Sequence, residues 1–144
     1  MISYYDDTNN QLKVAVCDHS SCSTVQAITV VDSFGSIAGK TSIVLNNSGY
    51  PVISYYDDTN DDLKLAVCSN ATCTSKTITI VDGAGNVGSA SSLKLNSSGF
   101  PVIAYRDTTN SALKLAVCFD ATCTSKSLIT VDNSEDDGNH LSLA

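Results

Sequence analysis

One passage is written three times along this chain. Ile2-Ser-Tyr-Tyr-Asp-Asp-Thr-Asn9 returns as Ile53-Ser-Tyr-Tyr-Asp-Asp-Thr-Asn60 and again as Ile103-Ala-Tyr-Arg-Asp-Thr-Thr-Asn110. The steps between copies are 51 and then 50 residues. Three cysteine pairs, Cys17/Cys22, Cys68/Cys73 and Cys118/Cys123, move with them. A fixed period near 50 describes a supersecondary unit that cannot bury both of its own faces and stacks on copies of itself.

The second and third copies define the unit. Ser92-Leu-Lys-Leu-Asn96 alternates in polarity and belongs to a short strand, A. Asn96-Ser-Ser-Gly99 is a turn in which Gly99 supplies a positive φ, and a proline opens the next strand. Strand B is Pro51-Val-Ile-Ser-Tyr-Tyr-Asp57, rich in β-branched and aromatic residues. A turn cluster at 58–61 leads into strand C, Leu63-Lys-Leu-Ala-Val-Cys68, with Leu63, Leu65 and Val67 on one face. The cysteines close a hairpin tip around Asn70-Ala-Thr72, and Thr77-Ile-Thr-Ile-Val81 is strand D. In the first copy one extra residue between Cys22 and Asp32 predicts a bulge or a longer hairpin. Lys13, Lys64 and Lys114 are the recurring charges within the strands. Their stems are expected to lie over apolar neighbours, with the ammonium reaching solvent or a carboxylate.

Four antiparallel strands in about 50 residues, repeated, are the pattern of a propeller blade. The expected fold is therefore all-β, with three blades in the chain: strands B-C-D over 1–32, then whole blades over 41–82 and 91–132. Met1 aligns with Val52 and Val102 at the start of strand B, and Ser142-Leu143-Ala144 aligns with Ser92-Leu93-Lys94 in strand A. Three blades do not close a ring, since propellers have about four to eight. The expectation is a homodimer forming a six-bladed ring, in which 141–144 supplies strand A to the partner's first blade. No secretory leader is visible ahead of the repeat, so the residues read as a mature fragment or a short frame cut from a longer array.

Composition narrows the function classes. A net charge of −7 argues against nucleic acid, which requires a basic footprint. No apolar run is long enough for a membrane helix, and no basic amphipathic stretch suggests a membrane surface. The cysteine spacing is wrong for a structural zinc site, and His19 and His140 do not recur. Three local disulfides, 17–22, 68–73 and 118–123, in an oxidising compartment are expected instead.

Thirteen of the 15 acidic residues fall on one rim when the loops are sorted by blade geometry. Asp6, Asp7, Asp57, Asp58, Asp61, Asp62 and Asp107 lie in B–C turns. Asp32, Asp82, Asp132, Glu135, Asp136 and Asp137 lie in D–A loops. Such a rim attracts cations. The recurring Asp6, Asp57 and Asp107 fit turn chemistry or, alternatively, a hard-cation site that calcium would accept. Tyr4, Tyr55 and Tyr105 read as core with bonded hydroxyls. The next position varies as Tyr5, Tyr56 and Arg106, and with the adjacent aspartates forms a candidate ligand-binding rim.

The residues from Ser92 to Asp107, with Leu63 to Cys68, resemble the repeats of secreted bacterial β-propellers that carry Ser-Leu-x-Leu-x-x-x-Gly-x-Pro-x-Ile-Ser-Tyr-Tyr-Asp followed by Leu-Lys-x-Ala-x-Cys. More broadly the chain is similar to lectin-like and sialidase-like six-bladed propellers. That resemblance implies an extracellular, non-enzymatic binding module, glycan being the foremost ligand. A structural or adhesion scaffold that binds another protein is the alternative. A glycoside hydrolase-like enzyme is remote, because Arg106 is the sole arginine and Glu135 the sole glutamate. No tryptophan is present to stack on a sugar.

Overall fold

The structure is a computed structural model. It describes residues 1–19, 21–33, 37–134 and 140–144, the side chains of 37–39 excepted. The run Glu135-Asp136-Asp137 lies outside the described residues. The expectation of an all-β chain holds. Eleven strands and no helix are found among the described residues: β1 (Ile2–Asp6), β2 (Gln11–Cys17), β3 (Val25–Asp32), β4 (Ile37–Leu45), β5 (Pro51–Asp57), β6 (Asp62–Cys68), β7 (Lys76–Asp82), β8 (Val87–Leu95), β9 (Pro101–Asp107), β10 (Ala112–Cys118) and β11 (Lys126–Asp132). They form three antiparallel sheets in chain order: β1-β2-β3, then β4-β5-β6-β7, then β8-β9-β10-β11.

The repeat is preserved in the register. Ile53 opposes Ala66 and Tyr55 opposes Lys64, as Ile103 opposes Ala116 and Tyr105 opposes Lys114. Each sheet carries the same irregularity, at Leu12/Lys13, Leu63/Lys64 and Leu113/Lys114. Only the first sheet adds a second shift between its middle and last strands, at Val16/Cys17, where the extra residue of that copy is accommodated. Gly49 and Gly99 take φ of 77° and 78° in the turns before β5 and β9, the conformation a side chain disfavours.

Strand A is longer than its alternating core suggests. β4 and β8 begin at Ile37 and Val87, and each crosses a register shift before the regular ladder that ends at Leu45 and Leu95. The bulge in β8 contains Gly88 at φ 96°, where an added Cβ would lie 2.8 Å from Leu63 Cβ. Residues 141–144 are not in a strand within the single chain, so the first sheet has three strands and the other two have four.

Two cores lie between the sheets, and they are built alike. Leu12, Val14 and Val31 of the first sheet bury Ile53, Tyr55, Ala66, Cys68 and Cys73 of the second. Leu63, Leu65 and Val81 of the second bury Ile103, Tyr105, Ala116, Cys118 and Cys123 of the third. β4 packs against β1 and β8 against β4. Every sheet therefore has a leucine face and a tyrosine face, and each core is one of each. With both faces covered, β5 of the middle sheet is buried along its whole length. The hairpin disulfides Cys17–Cys22, Cys68–Cys73 and Cys118–Cys123 are all formed, with no free cysteine. No helix among the described residues is long and apolar enough to cross a membrane.

Candidate functional site: the acidic edge

The register brings the acidic loops to one edge. Asp6 opposes Gln11, Leu12 opposes Asp32, Asp57 opposes Asp62, Leu63 opposes Asp82, and Val87 opposes Asp107. The cysteine hairpins lie at the other end of the same strands.

Much of this acidity is interior. Asp32, Asp57, Asp62, Asp82 and Asp107 are buried, whereas Asp7 and Asp58 are exposed. The carboxylate at the start of each turn holds that turn in shape. Asp57 Oδ1 accepts from the backbone N–H of Thr59 at 3.0 Å, and its Oδ2 accepts from the Asn60 amide at 2.9 Å. Asp107 accepts from the Asn110 N–H at 3.0 Å and from its side-chain amide at 2.9 Å. Asp6 does the same with Asn9. This is the turn chemistry expected of a short carboxylate beside an asparagine.

The second recurring aspartate joins neighbouring sheets. Tyr55 donates its hydroxyl proton to Asp32 Oδ2 at 2.6 Å, and Tyr105 donates to Asp82 Oδ2 at 2.7 Å. Each tyrosine thus reaches the aspartate of the preceding copy. The strand lysine stands beside it: Lys64 Nζ lies 2.5 Å from Asp57 and 3.9 Å from Asp32, and Lys114 Nζ lies 2.6 Å from Asp82 and 3.6 Å from Asp107. In the first sheet Lys13 pairs with Asp6. Lys114 also lies 5.5 Å from the Tyr105 ring centroid, within cation–π range.

The electrostatics follow from this lock. Burial opposes charge on Asp57 and Asp82, yet the hydrogen bonds from the lysine, from Asn60 or Tyr105 and from the backbone together outweigh it, and both are held below the ordinary carboxylate range. Asp6, bonded to Lys13 and Asn9, is lowered to about 2. Asp62, buried and facing the Asp57 charge, is pushed up. Burial, followed by the bond to an aspartate, raises Tyr55 and Tyr105 far above the free phenol. Asp6, Asp57 and Asp82 are thereby kept ionised and Tyr55 and Tyr105 protonated near neutrality, which suits a structural junction better than proton transfer.

The variable positions are also tied into the edge. The Tyr56 hydroxyl donates to Asp61 Oδ1 at 2.5 Å and that of Tyr5 to Asn10 Oδ1 at 2.6 Å. Tyr56 is buried, since Asn86 from the loop before β8 also donates to Asp61, at 2.6 Å. Tyr5 and Arg106 are partly exposed. The candidate rim thus divides: Tyr5 and Arg106 reach the surface, and Tyr56 lies beneath a loop. No group of three His, Cys, Asp or Glu side chains able to hold a metal ion occurs among the described residues.

Sequence reading placed Tyr55 and Tyr105 in the core but missed their acceptors. The usable signal was recurrence of a whole polar triplet: Tyr4/Tyr55/Tyr105, Lys13/Lys64/Lys114 and Asp32/Asp82/Asp132 keep step through strands otherwise poor in charge. Beyond the lock lie the turn tips. Residues 7–9, 58–60 and 108–110 are exposed in every copy and carry threonine, asparagine and aspartate side chains. In comparison with known proteins, no family model matches the chain and no curated protein matches it.

Proposed function

We propose that the three sheets are blades of an extracellular bacterial β-propeller whose acidic edge is a non-enzymatic binding surface for glycans, one turn tip per blade. The carrying observation is the contrast within each turn. The aspartate at its base is bonded to the tip asparagine, while the tip itself is exposed. Because the Asn60 and Asn110 amide nitrogens donate to the aspartates, their carbonyl oxygens are left free to face outward. Rigid, neutral hydrogen-bonding groups repeated from blade to blade suit the hydroxyls of a repeating sugar chain, and weak equal sites gain avidity together. The three disulfides accord with an oxidising compartment.

Catalysis is disfavoured because the close carboxylate pairs, Asp32 with Asp57 and Asp82 with Asp107, share a lysine between them. A calcium ion would have to displace that lysine, so the glycan contact is read as direct. The test is a glycan array run with calcium and with chelator, on the wild type and on an Asn60→Ala/Asn110→Ala variant. Equal signal in both buffers, lost in the variant, is expected. A silent array refutes the glycan reading, and signal only in calcium refutes direct contact.

The scaffold alternative has one observation in its favour. The outermost strands expose Ile28, Val30, Ile78, Ile80, Leu128 and Ile129, an apolar flank more suited to a protein partner than to sugar. A silent array together with an intact fold would favour it.

A further inference from the structure

Both cores are made by a leucine face meeting a tyrosine face, and the chain leaves one face of each kind uncovered. Val31 and Val81 are 2% and 1% exposed in the two cores, whereas their counterpart Val131 on the third sheet is 57% exposed. Ile53 and Ile103 are fully buried, whereas Ile2 on the first sheet is 51% exposed. The same difference runs across both faces. Leu113 and Leu115 are partly exposed where Leu12, Leu63 and Leu65 are buried, and Cys17 and Cys22 are partly exposed where Cys68, Cys73, Cys118 and Cys123 are buried.

The segment 141–144 shows how the uncovered leucine face is prepared. The backbone N–H of Leu143 donates to Ser92 Oγ at 2.9 Å, as that of Leu93 donates to Ser42 Oγ at 3.1 Å. Leu143 is thus seated on β8 in the manner in which β8 is seated on β4. Leu141 and Leu143, with Leu113, Leu115 and Val131, line an apolar groove of about 260 Å³. The first sheet, in turn, has no strand beside β1 in the place that β4 takes beside β5 and β8 beside β9.

We propose that a second copy of this chain covers these faces, the leucine face of each third sheet packing on the tyrosine face of the partner's first sheet, with 141–144 added as the fourth strand beside the partner's β1. The register is defined by the internal sheets. Ile43 opposes Ile53 and Leu93 opposes Ile103, so Leu143 opposes the partner's Ile2. The polar lock is completed in the same way. Tyr55 and Tyr105 each donate to the aspartate of the preceding copy, so Tyr4 donates to the partner's Asp132, with Lys13 taking the place of Lys64 and Lys114. The occupant is identified by continuity: the surface it must present (isoleucine, tyrosine, lysine and a hairpin disulfide in fixed register) is already present on this chain. A contact between two different faces closes a ring or grows without limit. Two copies bring together six sheets, within the range in which such rings close.

Light scattering and sedimentation of the 144-residue chain at micromolar concentration test this. The expected mass is twice that of one chain. Val131→Asp places a charge on a face that the single chain leaves exposed, so it should keep the wild-type β-type circular dichroism. It should also raise the dimer dissociation constant at least about a hundredfold by burying an unpaired carboxylate. Tyr4→Phe, which leaves packing intact, should raise it about tenfold. A folded wild-type monomer, an open series of larger species, or a Val131→Asp protein that remains dimeric would each overturn the proposal. A Val131→Asp chain that loses its fold would be replaced by Leu143→Asp, for which the same two outcomes decide.

Discussion

The junction between the second and third sheets can be tested by removing its cation. In Lys114→Met the stem and its packing are largely kept, but Asp82 and Asp107 lose the ammonium at 2.6 and 3.6 Å. Both carboxylates are buried, so neither recovers full hydration. Breaking a buried pair costs about 3–5 kcal/mol, and the partial exposure of the lysine end places this case near 3. For a chain of this size that is a fall of about 6–12 °C in melting temperature. The pH dependence gives the sharper signature. Asp82 is held below its ordinary value of 3.8 in the folded wild type. Its contribution is therefore present in full above that value and is lost as pH falls through the lower folded one. Without Lys114 burial dominates and the folded value rises, so protonation relieves the variant. The difference between the two proteins should shrink on going from pH 7 towards pH 4. Urea unfolding followed by the six tyrosines, free of tryptophan background, measures it, at one protein concentration because association adds to stability. A difference below about 1 kcal/mol at pH 7, in the range of an exposed pair, would refute the lock. So would a larger difference that does not change with pH.

Two further perturbations follow from local geometry. Gly88→Ala should destabilise by at least about 2 kcal/mol, since the new Cβ would meet Leu63 at 2.8 Å from a left-handed backbone; an unchanged urea midpoint would show that β8 shifts freely. Mild reduction of the Val131→Asp chain, in which no partner covers the first sheet, should open Cys17–Cys22 before the other two bridges, whose cysteines are buried within the chain. Mass mapping of alkylated peptides checks the order. Full reduction should leave β-type circular dichroism, because each bridge closes a loop of only five residues' separation and contributes about 2 kcal/mol in the chain-entropy model.

Strands B, C and D were legible because their pattern alternates and is bounded by Asp and Asn at the same offset in each copy, with Pro opening strand B in the second and third. β5 begins at Pro51 and ends at Asp57, where the turn chemistry predicts. The A strands were read too short. Their first halves, around Gly88-Ser-Ala-Ser91, carry no alternation, since a bulge at Val87/Ser91 breaks the period that reveals a strand. The hairpin disulfides were legible because Cys68 and Cys73 are local in sequence. The tyrosine–aspartate bond was not: Tyr55 and Asp32 are 23 residues apart, on different sheets, and only the stacking order tells which aspartate a tyrosine will meet. Local recurrence specified the unit, whereas the site between units required its neighbours.

The same stacking explains which positions drift. Ser54, on strand B, meets Ser91 at 2.9 Å and Ser3 meets Thr41 at 2.7 Å, hydroxyl to hydroxyl across adjacent sheets. The equivalent pair at the uncovered end of the stack is Ala104 and Leu141, which line one apolar groove. Both members have changed from polar to apolar together, so neither hydroxyl is left buried without its mate, a change costing little when made as a pair and about 1–3 kcal/mol when made singly. Tyr5, Tyr56 and Arg106 lie outside the lock, and their identity varies. Tyr55 and Tyr105 occupy it, Tyr4 holds the same position in the first copy, and their identity does not vary. Constancy among the copies therefore marks the junction between sheets, and a ligand surface that distinguishes one copy from another must be sought among the residues the junction leaves out.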